Sequence, residues 1–280
     1  MNSRFFSDQQ LDQFAREFDE RGFLKLEAAL SKDQVAGFNA AVDRHRLAFS
    51  DRWVELSDSF CEGTNVLPDT ADFDEAIENP RVLDILRRII GEEITFEEFA
   101  IMLREPTANL DEVKGWHRDI VRDYDRRMEI DAVSVMVYLS DVTQRDHCFS
   151  IVPETHNRLV DLDPLEVPLD AGVDVLGPAG TAVFFHARAI HGGRLKSGSS
   201  QRRTLQSYYS RWRDQRTAEW SEIPERLYGK SDPALPPRFY AKWNETNILE
   251  GVGKRPADLS PDLSISEVIR EVQRRGRAKM

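Results

Sequence analysis

The sequence predicts a mainly β domain of antiparallel sandwich or jelly-roll type with flanking helices, and three observations predict it. From residue 94 to residue 211 short segments that alternate in polarity or are wholly apolar follow one another. Turn residues separate them, as at Gly177-Pro178-Ala179-Gly180, and no stretch of helical period lies between them. Before residue 92, by contrast, helical period dominates. Closely spaced strands without crossover helices favour antiparallel layers over a parallel sheet.

The elements follow in order. Ser7-Asp8-Gln9-Gln10 is a capping box, Leu11, Phe14 and Phe18 follow at helical spacing, and Gly22 stops the helix. Phe23 to Glu27 reads as a short strand. A second capping box, Ser31-Lys32-Asp33-Gln34, opens a helix with Val35, Phe38 and Val42 on one face, running to about His45, which is expected on its solvated surface. Residues 51–74 have mixed polarity and no period, and are expected to be a loop able to reach over an active site. Asn79-Pro80 then caps a helix carrying Val82, Ile85, Leu86 and Ile89, which ends at Gly91. Strands are predicted at Ile94 to Leu103, Ile130 to Leu139, Cys148 to Val152, Val173 to Leu176, Thr181 to Phe185 and Arg203 to Arg211. Beyond Trp212 the chain turns polar and Pro-rich, and Ser264 to Arg275 has helical spacing before a basic tail. The expected organisation is one domain over 1–280. In it, 1–92 form a mostly helical N-terminal support, 93–212 the β core with the active site, and 213–280 a C-terminal extension.

Composition bounds the function. A chain of 280 residues with 40 % hydrophobic residues can bury a sizeable core. A formal charge of −11 argues against nucleic acid or an anionic membrane as partner, since both call for a basic surface. The two cysteines, Cys61 and Cys148, lie in no metal or redox spacing, so a reducing, cytoplasmic setting is expected. No leader-like segment or apolar run of membrane-spanning length is apparent.

The chemistry centres on Trp116 to Arg202. His117 and Asp119 are two residues apart, so on an extended backbone both point to one face and can share a metal. A third ligand from a distant strand would complete two imidazoles and a carboxylate, a set that suits non-haem Fe(II) handling O2. His186 and His191 compete for that place. Alone the His-x-Asp pattern is weak, because 49 acidic residues in 280 make roughly one chance match among six histidines. Arg202 brings a guanidinium fork suited to a carboxylate, and on strand phase it shares a face with Thr204, Gln206 and Tyr208 while Arg203 faces away. Trp116, Met136, Tyr138, Phe184 and Phe185 read as core, and His147 and His156 as structural histidines.

Four stretches in order resemble the phytanoyl-CoA dioxygenase family of Fe(II)/2-oxoglutarate oxygenases, and the similarity runs over most of the chain. They are the helix and strand Phe14 to Leu26, the strand end Tyr138-Leu139-Ser140-Asp141-Val142-Thr143 after His117-Arg118-Asp119, the corner Ile151-Val152-Pro153-Glu154-Thr155-His156, and His191-Gly192 with Arg202 downstream. Arg118, Glu154-Thr155 and Gly193 depart from the family pattern without removing a ligand.

The resemblance implies a double-stranded β-helix of cupin-like form. It assigns the metal to His117, Asp119 and His191, leaving His186 in the core. It places the far carboxylate of 2-oxoglutarate on Arg202, with Thr204 as a further cosubstrate contact. The implied activity is hydroxylation, or another oxidation such as desaturation, of an unactivated C–H bond, with release of succinate and CO2, and a small or specialised metabolite is expected as substrate rather than an acyl-CoA. Fe(II), 2-oxoglutarate and O2 are the implied cofactors, and ascorbate a candidate stimulant. Halogenating relatives carry a small residue where Asp119 stands, so halogenation is not implied. Arg118 and Lys114 beside the site suggest an anionic substrate, and a homodimer is compatible with the sequence. The rival readings are a redox-neutral cupin-type metal enzyme and a non-catalytic jelly-roll binding protein.

Overall fold

The structure is a computed structural model. It describes residues 5–240 apart from 58, 108–111, 120–131, 159–161, 169, 198–199, 213–220, 229 and 231. The expected C-terminal helix and basic tail lie outside the described residues.

Two antiparallel sheets face each other. The larger has seven strands in the order β1-β9-β6-β11-β4-β3-β2, and the smaller has four in the order β5-β10-β7-β8. In chain order these are β1 (Phe23–Leu26), β2 (Trp53–Ser57), β3 (Phe60–Thr64), β4 (Ile94–Arg104), β5 (Glu112–His117), β6 (Ala132–Tyr138), β7 (Cys148–Ile151), β8 (Val173–Val175), β9 (Ala182–His186), β10 (His191–Leu195) and β11 (Arg202–Arg211). Strands distant in sequence alternate within each sheet, which makes the sandwich the predicted jelly roll.

Side-chain alternation divides the large sheet between two environments. Val133, Val135, Val137, Phe184 and Leu205 face the helices and build the main core with them. Met136, Tyr138, Val183 and Phe185 face the small sheet and meet Phe149, Ile151 and Val175. The wholly apolar look of β6 and β9 follows from this burial on both faces.

Three helices cover the outer face: α1 (Asp8–Arg21), α2 (Lys32–Ala48) and α4 (Pro80–Ile90), with the single turn α3 (Asp74–Ile77) leading into α4. Both capping boxes form, through Ser7 with Gln10 and Ser31 with Gln34. Asn79 accepts from the backbone of Arg81 and Val82. α1 stops at Gly22, whose φ of 78° suits glycine, and a Cβ there would meet His156 Nδ1 at 2.6 Å. No helix of the described residues is long and apolar enough to cross a membrane.

Two expectations are corrected. Residues 51–74 contain the hairpin β2–β3, which extends the large sheet by pairing with β4. Its mixed polarity arises because Cys61 and Gly63 face the core while Phe60, Glu62 and Thr64 face the space between the sheets. His45 is 3 % exposed. Its Nδ1 accepts from Trp53 Nε1 at 3.2 Å and its Nε2 donates to Asp69 Oδ2 at 3.3 Å, while Arg52 holds both oxygens of that carboxylate. This knot fastens α2 to the hairpin.

Candidate metal centre

His117 ends β5 and His191 begins β10, and the two are direct cross-strand partners. Just past the end of β5, the backbone N–H of Asp119 donates to the carbonyl of Ala187, which turns the carboxylate back toward the histidines. His191 Nε2 lies 3.2 Å and His117 Nε2 3.5 Å from Asp119 Oδ1. One ligand atom from each residue falls within 4.8 Å of the others, the only such group among the described residues. Adjacent donors on an octahedral ion at about 2.1 Å stand about 3 Å apart, so the group is close to the spacing one ion needs.

The remaining atoms of the three side chains are held. His117 Nδ1 donates to the Gly115 carbonyl at 3.0 Å and His191 Nδ1 to the Ala189 carbonyl at 2.9 Å, which leaves each Nε2 as a lone pair toward the centre. Asp119 Oδ2 accepts from the Tyr208 phenol at 3.0 Å, and Gln206 Nε2 donates to that phenol at 2.6 Å. Phe149 and Phe185 pack on the His191 ring at 5.4 and 4.7 Å between centroids. His191 is buried, Asp119 partly buried and His117 open on one side.

Electrostatics favour an ionised carboxylate. Burial works against the charge on Asp119, but His191 and His117 outweigh it and hold the carboxyl well below its usual range. Burial likewise works against a charged His117, and Asp119 outweighs it so that the imidazole is raised. Burial first, and then the Asp119 charge, raise the Tyr208 phenol well above its ordinary value, so it remains a donor.

Strand phase carries the site outward from Asp119. Arg202, Thr204, Gln206 and Tyr208 pair in register with Arg104, Met102, Ala100 and Glu98 of β4, so all eight side chains share the inner face. Arg202 is 5 % exposed and its Nε has no hydrogen-bond partner. The Thr204 hydroxyl reaches the Met102 carbonyl at 3.5 Å. Arg203 points to the helices and pairs with Asp43 of α2 at 2.8 Å.

Other candidates sit elsewhere. His186 is buried beneath α1, stacked on Phe18 with ring centroids 6.0 Å apart, and its Nδ1 accepts from the Arg188 backbone at 3.2 Å. His156 Nε2 donates to the Asp19 carbonyl at 2.9 Å, and His147 Nε2 to the Glu105 carbonyl at 2.9 Å. Arg118 is 3 % exposed and gives its guanidinium to the carbonyls of Thr155, Arg188, Arg158 and Leu162. It is a strut for the loop after β7 and the turn at Arg188, so its guanidinium is engaged by the protein's own backbone. The Lys114 side chain lies outside the described residues.

Sequence reasoning missed the Tyr208 contact and the placement of Arg104 opposite Arg202. The first depends on how the two sheets face each other and the second on β4 lying beside β11, and no local signal encodes either.

Comparisons with known proteins bear on family and fold. A family model described as Phytanoyl-CoA dioxygenase (PhyH) matches residues 18–204. A protein of Stutzerimonas stutzeri described as a probable alpha-ketoglutarate-dependent hypophosphite dioxygenase is 22 % identical over 234 residues, covering 71 % of this chain and 77 % of its own. Among solved structures, the epimerase SnoN in complex with Fe3+, alpha ketoglutarate and nogalamycin RO superposes with a TM-score of 0.59 at 19 % identity, over 73 % of this chain and 85 % of its own. HygX from Streptomyces hygroscopicus, solved with nickel, 2-oxoglutarate and hygromycin B, gives 0.57 at 18 % identity, over 79 % and 94 %. These structural likenesses bear on the fold.

Proposed function

Since the chain belongs to the phytanoyl-CoA dioxygenase family and is a 2-oxoglutarate-dependent iron dioxygenase, we propose that it hydroxylates, or otherwise oxidises, an unactivated C–H bond of a small specialised metabolite. The iron is held by His117, Asp119 and His191, and the far carboxylate of 2-oxoglutarate by Arg202. The observation that carries this reading is the meeting of His117 Nε2, His191 Nε2 and Asp119 Oδ1, with each Nδ1 already spent on a backbone carbonyl.

The residues fit the implied groups. Two neutral imidazoles and a carboxylate make a facial set that leaves adjacent positions open for a chelating cosubstrate and O2. The buried Arg202 Nε without a protein partner fits an incoming anion, because a buried unsatisfied donor is costly. When bound, iron with 2-oxoglutarate and O2 supplies the oxidation of the C–H bond and yields succinate and CO2.

The chain's own part is orientation and exclusion. Tyr208 occupies Asp119 Oδ2, so Oδ1 alone faces the centre. Phe149 and Phe185 close the inner side of His191 against water. Arg202 aligns the cosubstrate along the row that leads to Tyr208, and Thr204 offers a second polar contact on that row. Asp119 would supply a carboxylate where a halide would otherwise have to bind, which fits oxidation rather than halogenation. The N-terminal support and the β core act as one catalytic unit, a reading supported by β1, β2 and β3 of the first 92 residues sharing a sheet with β4, β6, β9 and β11.

A specialised-metabolite substrate is supported by structural neighbours that act in nogalamycin biosynthesis or hold hygromycin B. One of them is an epimerase and another a carbocyclase, so the proposed oxidation is not restricted to hydroxylation. Anaerobic Fe(II) protein with 2-oxoglutarate should develop a weak visible charge-transfer band, and a metabolite panel read by succinate formation should identify the substrate. Iron-loaded protein that gives neither band nor succinate would sink the reading.

A further inference from the structure

We propose that Arg104 is a second cosubstrate anchor, so that Arg104 and Arg202 together seat the far carboxylate of 2-oxoglutarate between two guanidinium groups. The proposal rests on the reading that Arg202 faces the cosubstrate, and it adds a residue to that subsite.

Placement comes first. Arg104 ends β4 and Arg202 begins β11, and they are Cα partners across the pair, so both side chains leave the same face of the sheet. That face looks toward the small sheet. A terminal nitrogen of Arg104 lies 3.6 Å from where a Cβ on Gly193 would stand, two residues after His191 on β10. The guanidinium therefore crosses the space between the sheets at the end of the row that begins at Asp119. The Phe60 ring supports it, 3.8 Å from guanidinium carbon to centroid.

The charges at this end do not balance. Among the described residues neither guanidinium has a hydrogen bond or a carboxylate within ion-pair distance. Arg202 is nine-tenths buried or more. Burial first, and then the charge of Arg202, push Arg104 down to about 10. A buried cation beside a partly buried one is unfavourable unless an anion joins them. The nearby carboxylate is Glu62 on β3, which faces the same space, and burial pushes it up to about 7 even against the pull of Arg104. Glu62 is thus a weak counter-ion. A carboxylate has about four acceptor sites and can accept from two forks at once.

The test is calorimetric titration of Mn(II)-loaded protein, which does not turn over, with 2-oxoglutarate and with 2-oxopentanoate. The latter has the same chelating end and a methyl group in place of the far carboxylate. Arg104→Ala should weaken 2-oxoglutarate at least tenfold and leave 2-oxopentanoate within about threefold of wild type. Arg104→Lys should recover part of the loss, and Glu62→Gln should tighten 2-oxoglutarate, a gain that misfolding cannot produce. If Arg202→Ala alone shows the selective loss, Arg104 is only a wall of the cavity and the inference fails while the Arg202 reading stands. If neither variant does, both fall. Equal weakening of the two ligands in Arg104→Ala would make Arg104 a structural support and would also overturn the proposal.

Discussion

The Tyr208 phenol donates to Asp119 Oδ2 at 3.0 Å, and so governs which oxygen of that carboxylate faces His117 and His191. Residues that orient a ligand in this way commonly matter about ten- to a hundredfold for metal affinity. Tyr208→Phe keeps the ring and removes the donor. It should weaken metal binding about tenfold, measured by Mn(II) titration, with little change in melting temperature. Unchanged affinity would show that Asp119 orients without help.

Loss of one of three protein ligands leaves an ion weakly held. His117→Ala and His191→Ala should each abolish iron retention after desalting. His186→Ala should retain iron and instead lose stability, because its ring packs between Phe18 and His156. The reverse pattern for His186 and His191 would reassign the distal ligand.

Arg202 and its neighbour give a contrast of faces. On the proposed anchoring, Arg202→Ala should remove a charge-assisted contact of about 2 to 3 kcal/mol, or on the order of a hundredfold in 2-oxoglutarate affinity. Arg202→Lys should rescue little, since an ammonium cannot reproduce the planar fork. Arg203→Ala breaks the pair with Asp43 and should shift the melting temperature slightly, with the cosubstrate KM unchanged. Equal KM effects from the two alanine variants would contradict the strand phase.

Glu62 sets a pH signature. Its carboxyl is pushed up to about 7 by burial, whereas an unfolded glutamate titrates near about 4.3. Between those values the folded chain holds more protons than the unfolded one, so this residue's contribution to stability falls as pH rises through the window and is level above it. Glu62→Gln lacks the effect. The difference in melting temperature, variant minus wild type, should therefore grow from about pH 5 to about pH 8, and a flat difference would count against the buried setting of Glu62.

Local rules made much of this fold readable. Ser7 and Ser31 with their glutamines, Asn79 before Pro80, and Gly22 each mark a helix boundary through contacts within a few residues. The His117 and Asp119 pairing was readable from its place among four ordered family-like stretches, two-residue spacing alone being a weak signal, and the period of a strand separated Arg202 from Arg203. What escaped was non-local. The β2–β3 hairpin has one face in the core and one toward a polar cavity, so its composition resembles a loop. His45 is buried on the apolar face of Val35, Phe38 and Val42, against the solvated surface expected for a histidine near the helix end. Its partners Trp53 and Asp69 were not legible in the sequence either. Arg104 and Arg118 look alike in sequence, yet one faces the cavity and the other serves four carbonyls, a difference set by strand neighbours.

His117 and His191 stand opposite each other across β5 and β10, and β5 is an edge strand. A slip of β5 by one residue would turn its imidazole to the far side and offer Trp116 or Arg118 instead. Only the correctly aligned strand presents two nitrogens together, so an ion bound there withholds its binding energy from every misaligned chain. On the proposed ligand set, the pair would be a register mark as well. Selection on the chemistry of this centre is then also selection against errors in threading the small sheet.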